Sequence, residues 1–155
     1  MISYQSSKKI LKKSIINIKD ENILSISSLN RVTSSNIYSK FNYPSGDNAA
    51  FDGYAINSND TKTIKKNNPK KFKIIGTIAA GNKPPKNKIN RFEAVEIMTG
   101  GIIPTGFDTI IPIEQIKYYP SSNKRKFILI DKKITKYNHV RFKGSDYKKN
   151  ELVIK

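Results

Sequence analysis

Cysteine is absent from this 155-residue chain, tryptophan is absent too, and histidine occurs once. Without cysteine there is no disulfide scaffold, no thiolate zinc site and no cysteine nucleophile. A single imidazole, His139, can build neither a multi-histidine metal site nor a convincing catalytic triad. No apolar run approaches the roughly 18 residues that a membrane-spanning helix needs. The first twenty residues, MISYQSSKKILKKSIINIKD, hold no useful apolar core and no small-residue cleavage site. That pattern predicts no signal peptide and a cytoplasmic protein. Arginine is scarce as well, at 4 residues against 25 lysines.

What the chain does have is positive charge. Its 29 Lys and Arg outnumber 12 Asp and Glu, for a formal net charge of +17. Such an excess suggests nucleic acid, because lysine and arginine neutralise phosphates. Three features weaken that reading. Lysine lacks the planar fork with which arginine reads phosphates and base edges, and Lys- and Asn-rich composition also follows from A/T-rich codons. The charge is also unevenly placed. Residues 41–61 and 92–116 contain no Lys or Arg, yet they hold seven of the twelve acids and five of the eight glycines. Carboxylates kept clear of ammonium groups can hold a hard cation such as Mg²⁺. Buried or turn segments would exclude lysine equally well.

The apolar spacing predicts a helix over 5–19, with Ile10, Leu11, Ile15 and Ile18 on one face and Lys8, Lys12 and Lys13 outward. The stretch 23–40 reads as a strand, a turn of helix and another strand. Short β-type runs follow at 72–80, 94–98, 108–116, 127–130, 139–142 and 152–154, separated by Gly, Pro and Asn turns. Strands so short and so closely spaced predict a small β-rich barrel or sandwich, which makes the whole chain α+β. The Lys/Asn-rich stretch 61–71 reads as an exposed loop. The chain ends on the apolar run ELVIK, where a domain rarely stops, so more chain is expected beyond it.

Three segments carry candidate chemistry. In PSGDNAAFDGYAINSND (44–60), Pro44 and Gly46 force a turn, Asp47 and Asn48 can close an Asx-turn, and Asp52-Gly53 is a second turn. The two aspartates could converge on a cation, or each could be satisfied within its own turn. In AVEIMTGGIIPTGFDTIIPIE (94–114), a strand runs into Thr99-Gly100-Gly101, where backbone N–H groups could approach an anion. A hairpin turn is the plainer alternative; no G-K-[ST] follows, so it is not a Walker A loop. In YNHVRFKGSDYKKNELVI (137–154), Arg141 and Lys143 form either an anion clamp or one side of a charged hairpin. His139 lies in a strand pattern and reads as a packed or surface residue.

Together, in this order, the segments resemble the molybdopterin molybdenumtransferase family, the bacterial MoeA group and the E domain of gephyrin. The family's P-x-x-D-N-[SA]-x-x-D-G-Y-A pattern is similar to Pro44–Ala55, and its I-A-A-G-x-x-P to Ile78–Pro84. Its I-M-T-G-[AG]-x-[IVL]-P-x-G-x-D run resembles the stretch that starts at Ile97, and Asn138, Arg141, Gly144 and Asp146 resemble its N-x-R-x-x-G-x-D, with one residue more between Asn138 and Arg141. Here Gly46 stands for the usual Phe, Ala49 for the usual Ser and Phe51 for the usual Met.

The resemblance implies a β-rich barrel-like domain, residues 44–138, inserted in an elongated dimerisation domain formed by 1–43 with 139–155. It implies a homodimer whose cleft is completed by domains beyond this chain. The reaction it implies is insertion of molybdate into adenylated molybdopterin with Mg²⁺ and release of AMP. By motif, Asp52 and Thr99 would be catalytic, with Asp52 also the candidate metal ligand. Asp47, Asn48, Gly53, Gly100 and Arg141 would bind substrate. Two alternatives stand beside this reading: a non-catalytic dimerisation or interaction module, and, more weakly, a basic nucleic-acid-binding protein.

Overall fold

The computed structural model describes residues 1–14, 18–84 and 88–155. They form two units, one of residues 1–37 with 154–155 and one of residues 38–153.

In the first unit, helix α1 (Tyr4–Lys13) starts where Ser3 Oγ accepts the Ser6 amide, which satisfies one of the helix's orphan donors. It stops earlier than the apolar spacing predicts. The Ser14 amide and hydroxyl both turn back onto the Ile10 carbonyl, and Ile18 and Lys19 are not helical. The predicted Ile15 lies outside the described residues. No residue of α1 is buried; Ile10 is 54% and Leu11 72% exposed. The 23–40 stretch forms a short 3₁₀ turn at Ser25–Ser27 and a two-residue strand β1 (Ile37–Tyr38), rather than two strands.

The second unit is built on a six-stranded sheet. Its strands are β3 (Gly53–Ile56), β4 (Lys70–Ile78), β5 (Glu93–Ile97), β6 (Thr109–Pro112), β7 (Lys117–Ser121) and β8 (Lys124–Ile130), in the order β6-β3-β5-β4-β8-β7. All pairs are antiparallel except β4–β5. The sheet curls: the rings of Tyr54 on β3 and Tyr118 on β7 lie 6.1 Å apart although three strands separate theirs in the order. This half-barrel and helix α1 agree with the α+β, barrel-like expectation. A short ladder, β2 (Asn48–Ala49) with β9 (Val140–Arg141), lies outside the sheet, and β10 (Leu152–Ile154) closes the chain.

Alternation along the strands gives the sheet two faces. On one face Tyr54, Ile56, Phe72, Ala94, Ile111, Ile128 and Ile130 pack together. On the other, Ala55, Ile78, Val95, Ile97 and Ile110 pack with Ala49 and Phe107. Strand β4 serves both faces because its register to β5 shifts between Ile74 and Thr77. Phe72 and Ile74 face the first cluster, and Ile78 faces the second. Part of the 61–71 stretch is also buried rather than exposed. Thr61 is fully buried, its hydroxyl donating to the Ser58 carbonyl and accepting the Ile134 amide, and Ile64 joins the first cluster.

Candidate functional site

Asp52 ends the loop before β3, and Thr99 lies two residues past the end of β5, the antiparallel neighbour of β3. Pairing Gly53 with Ile97 therefore brings Asp52 and Thr99 to the same sheet end. Thr99 donates its amide, at 2.6 Å, and its hydroxyl, at 2.7 Å, to Asp52 Oδ1. Both residues are exposed. The two bonds stabilise the carboxylate form and lower the Asp52 pKa, the amide contributing more than the hydroxyl.

Glycine at 53 is a steric requirement. A Cβ there would sit 2.1 Å from the Ile111 carbonyl oxygen, so only glycine lets β3 approach β6 this closely. Gly100 adopts φ +81°, which turns the chain after Thr99.

The expected anion nest at 99–101 is already filled from within the chain. The Thr99 amide goes to Asp52, the Gly100 amide to the Ala49 carbonyl, and the Gly101 amide to the Met98 carbonyl. The anion it holds is the chain's own carboxylate. Ala49 returns a bond from its amide to the Gly101 carbonyl, which ties the first motif to the second.

Asp47 does not close an Asx-turn. Its Oδ1 accepts the Lys143 amide at 2.8 Å, 96 residues along the chain, and its carbonyl accepts the Ile103 amide. Asn48 lies in β2 opposite Arg141, buried, and its Oδ1 has no hydrogen-bond partner among the described residues. Arg141 donates through Nη2 to Asp146 Oδ2 in a short ion pair that raises the arginine pKa and lowers that of the aspartate. The guanidinium expected to meet a ligand oxyanion thus has a partner inside its own loop. His139 is in a turn with φ 55° rather than in a strand, and its ring meets Phe51 edge-on at 4.8 Å. A cleft of about 410 Å³ opens beside Asp47, between Phe107, Asp108, Tyr137 and Lys143.

So two groupings form: Asp52 with Thr99, Gly53 and Gly100 at the end of β3 and β5, and Asp47 with Asn48, Arg141 and Lys143 around the β2–β9 ladder. Among the described residues no three His, Asp or Glu side chains gather as a metal cluster. The part of Lys143, contributed by its backbone, carries no sequence signal.

A family model described as MoeA N-terminal region (domain I and II) matches residues 2–155. A molybdopterin molybdenumtransferase of Staphylococcus aureus is 32% identical over 128 residues, 83% of this chain and 29% of the relative. One from Bacillus subtilis is 29% identical over 127 residues, 82% of this chain and 29% of the relative. The crystal structure of a molybdopterin biosynthesis moeA protein from Pyrococcus horikoshii superposes with a TM-score of 0.87 at 29% identity, over 100% of this chain and 40% of that one. The chain thus spans about a third of the length of the curated relatives it matches.

Proposed function

The chain belongs to the family of MoeA N-terminal regions, and on that premise we propose that it is the N-terminal part of a molybdopterin molybdenumtransferase. Its substrates in this reading are molybdate and adenylated molybdopterin, and its product is the molybdenum cofactor, made in the cytoplasm with release of AMP. Residues 44–138 act as the β-rich second domain and residues 1–43 with 139–155 as the elongated domain. The observation that carries the reading is the Asp52–Thr99 pair, a carboxylate fixed at one oxygen on an open rim.

Mg²⁺ fits that donor set, and Asp52 would hold it. Oδ1 of Asp52 already accepts two bonds, while Oδ2 accepts none from the described residues. One carboxylate with substrate phosphates and waters is an ordinary Mg²⁺ environment, so the lack of a three-carboxylate cluster is no obstacle. When bound, the ion supplies neutralisation of phosphate charge. The protein's own contribution is positional. Thr99 fixes the Asp52 carboxylate, Gly53 and Gly100 let the backbone pass close beneath it, and Asp47 locks the 143 loop against the first motif. Arg141 and Asn48 bind substrate in this reading.

In full-length protein carrying this segment, Asp52→Ala should abolish molybdenum insertion and leave the circular dichroism spectrum unchanged. Wild-type insertion by that variant would remove the assignment.

A dimeric assembly is part of the same proposal, supported by α1, whose apolar Ile10 and Leu11 have no cover in their own unit. The non-catalytic alternative rests on that face alone. A protein that dimerises by analytical ultracentrifugation but neither binds adenylated molybdopterin nor inserts molybdenum would favour it.

A further inference from the structure

The charge that the proposed chemistry leaves unexplained is concentrated in space. Residues 61–73 and 117–136 hold thirteen of the chain's 29 Lys and Arg and one of its 12 acids. These are β4, β8, β7 and the loops joined to them, three adjacent strands at one side of the sheet.

Register places part of this charge on one face. Phe72, Ile128 and Ile130 point into the first cluster, so Lys71, Lys73, Phe127 and Leu129 point the other way. Lys71 pairs with Leu129 and Lys73 with Phe127; across β7, Lys117 pairs with Leu129 and Tyr119 with Phe127. Two cross-strand rows result, Lys71–Leu129–Lys117 and Lys73–Phe127–Tyr119. Lys71, Lys73, Lys117 and Tyr119 are exposed, and Phe127 and Leu129 are half-buried. On the same side, the β3, β5 and β6 half is covered by Phe107 and Ala49. Ammonium groups and rings already meet there: Lys71 Nζ lies 3.4 Å from the Tyr119 ring centre, and Tyr119 meets Phe127 edge-on at 6.4 Å. Two carboxylates border the face: Asp131, 3.8 Å from Lys117, and Glu93 on β5, the register partner of Lys73.

We propose that this face of β4, β8 and β7 binds single-stranded nucleic acid without sequence preference, phosphates lying on Lys71, Lys73 and Lys117 and bases stacking on Tyr119 and Phe127. A second copy of the chain is disfavoured, since two such faces would repel. An acidic peptide would engage the lysines but leave the aromatic row unused. A duplex keeps its bases stacked within itself and offers the rings nothing. Lysine in place of arginine, which argues against base reading, is what sequence-blind binding to phosphates and base faces allows.

The test is fluorescence anisotropy of the full chain with a labelled oligouridylate of about 12 nucleotides, within the usual site size, over a salt series. The expected result is affinity falling steeply with salt. The triple variant Lys71→Ala/Lys73→Ala/Lys117→Ala should flatten the log–log salt slope by about 2, given roughly 0.7 per phosphate contact on a single strand. Tyr119→Ala should weaken binding by about fivefold or more without altering that slope. A second triple variant, Lys8→Ala/Lys9→Ala/Lys12→Ala on α1, removes the same charge elsewhere and should change neither. Equal loss in both triple variants would reduce the effect to net charge and overturn the proposal. Equal competition by duplex RNA or by polyglutamate would overturn it too, as would no binding at low salt.

Discussion

Thr99 gives Asp52 two hydrogen bonds to one oxygen, the amide at 2.6 Å and the hydroxyl at 2.7 Å, across 47 residues of sequence. The consequence is a carboxylate whose orientation is set by a neighbouring strand end rather than by its own turn. Charge and orientation can therefore be separated by mutation. Asp52→Asn keeps an acceptor oxygen for Thr99 and removes the charge; Thr99→Val keeps the amide bond and removes the hydroxyl. In a full-length insertion assay Asp52→Asn should lose about a hundredfold or more, and Thr99→Val about tenfold. Equal activity of Asp52→Asn and wild type would show that the charge is not used.

The pH response follows from the same two bonds. The Asp52 pKa lies below the ordinary 3.8, chiefly through the Thr99 amide. A lowered folded-state pKa means that the bonds favour the fold fully above the unfolded value and cease to do so as pH falls through the folded one. Asp146, lowered by Arg141, behaves in the same way. Carboxyl ¹³C titration should give midpoints below 3.8 for both residues. The Thr99→Val substitution should move the Asp52 midpoint upward and leave that of Asp146 in place.

Gly53 is the most substitution-sensitive position in the first motif. A methyl group 2.1 Å from the Ile111 oxygen forces β3 and β6 apart. Gly53→Ala should cost about 3 kcal/mol or more, or abolish folding. Gly76→Ala makes the matched control, because a Cβ there meets nothing within 4 Å. Urea denaturation of the pair checks both, and similar midpoints would refute the close approach.

Asn48 carries a buried oxygen without a partner among the described residues, an arrangement that costs about 1–3 kcal/mol. Asn48→Leu removes the orphan acceptor at similar volume. The urea midpoint should stay level or rise, while binding of adenylated molybdopterin by the full-length protein weakens. A large loss of stability in Asn48→Leu, with binding retained, would assign the side chain to the fold instead.

The sequence and the structure agree best where the information is local. The β-type runs at 94–98 and 127–130 became β5 and the end of β8, and the run at 72–80 became β4 shifted by two residues, because alternating Ile, Val and Phe report a half-buried strand directly. The T-G-G turn was also legible, since glycine after a strand end has few other uses. Helix α1 came out shorter than its spacing implied, since Ser14 bonds back to Ile10 and closes the last turn. His139 looked like a strand residue because its neighbours Val140 and Arg141 are one.

The candidate site divides along the same line. Residue types and order alone mark Asp47, Asn48, Asp52, Gly53, Thr99, Gly100 and Arg141 as candidates. Which of them meet is decided by partners 47 and 96 residues away, Thr99 for Asp52 and Lys143 for Asp47. A carboxylate takes whichever donor strand pairing delivers, and its own sequence neighbourhood does not record that choice. The two faces of β4 follow the same rule. Its apolar and lysine residues are plain in the sequence, but the register shift between Ile74 and Thr77 is a property of its pairing with β5, and that shift puts Ile78 on the face opposite Phe72 and Ile74.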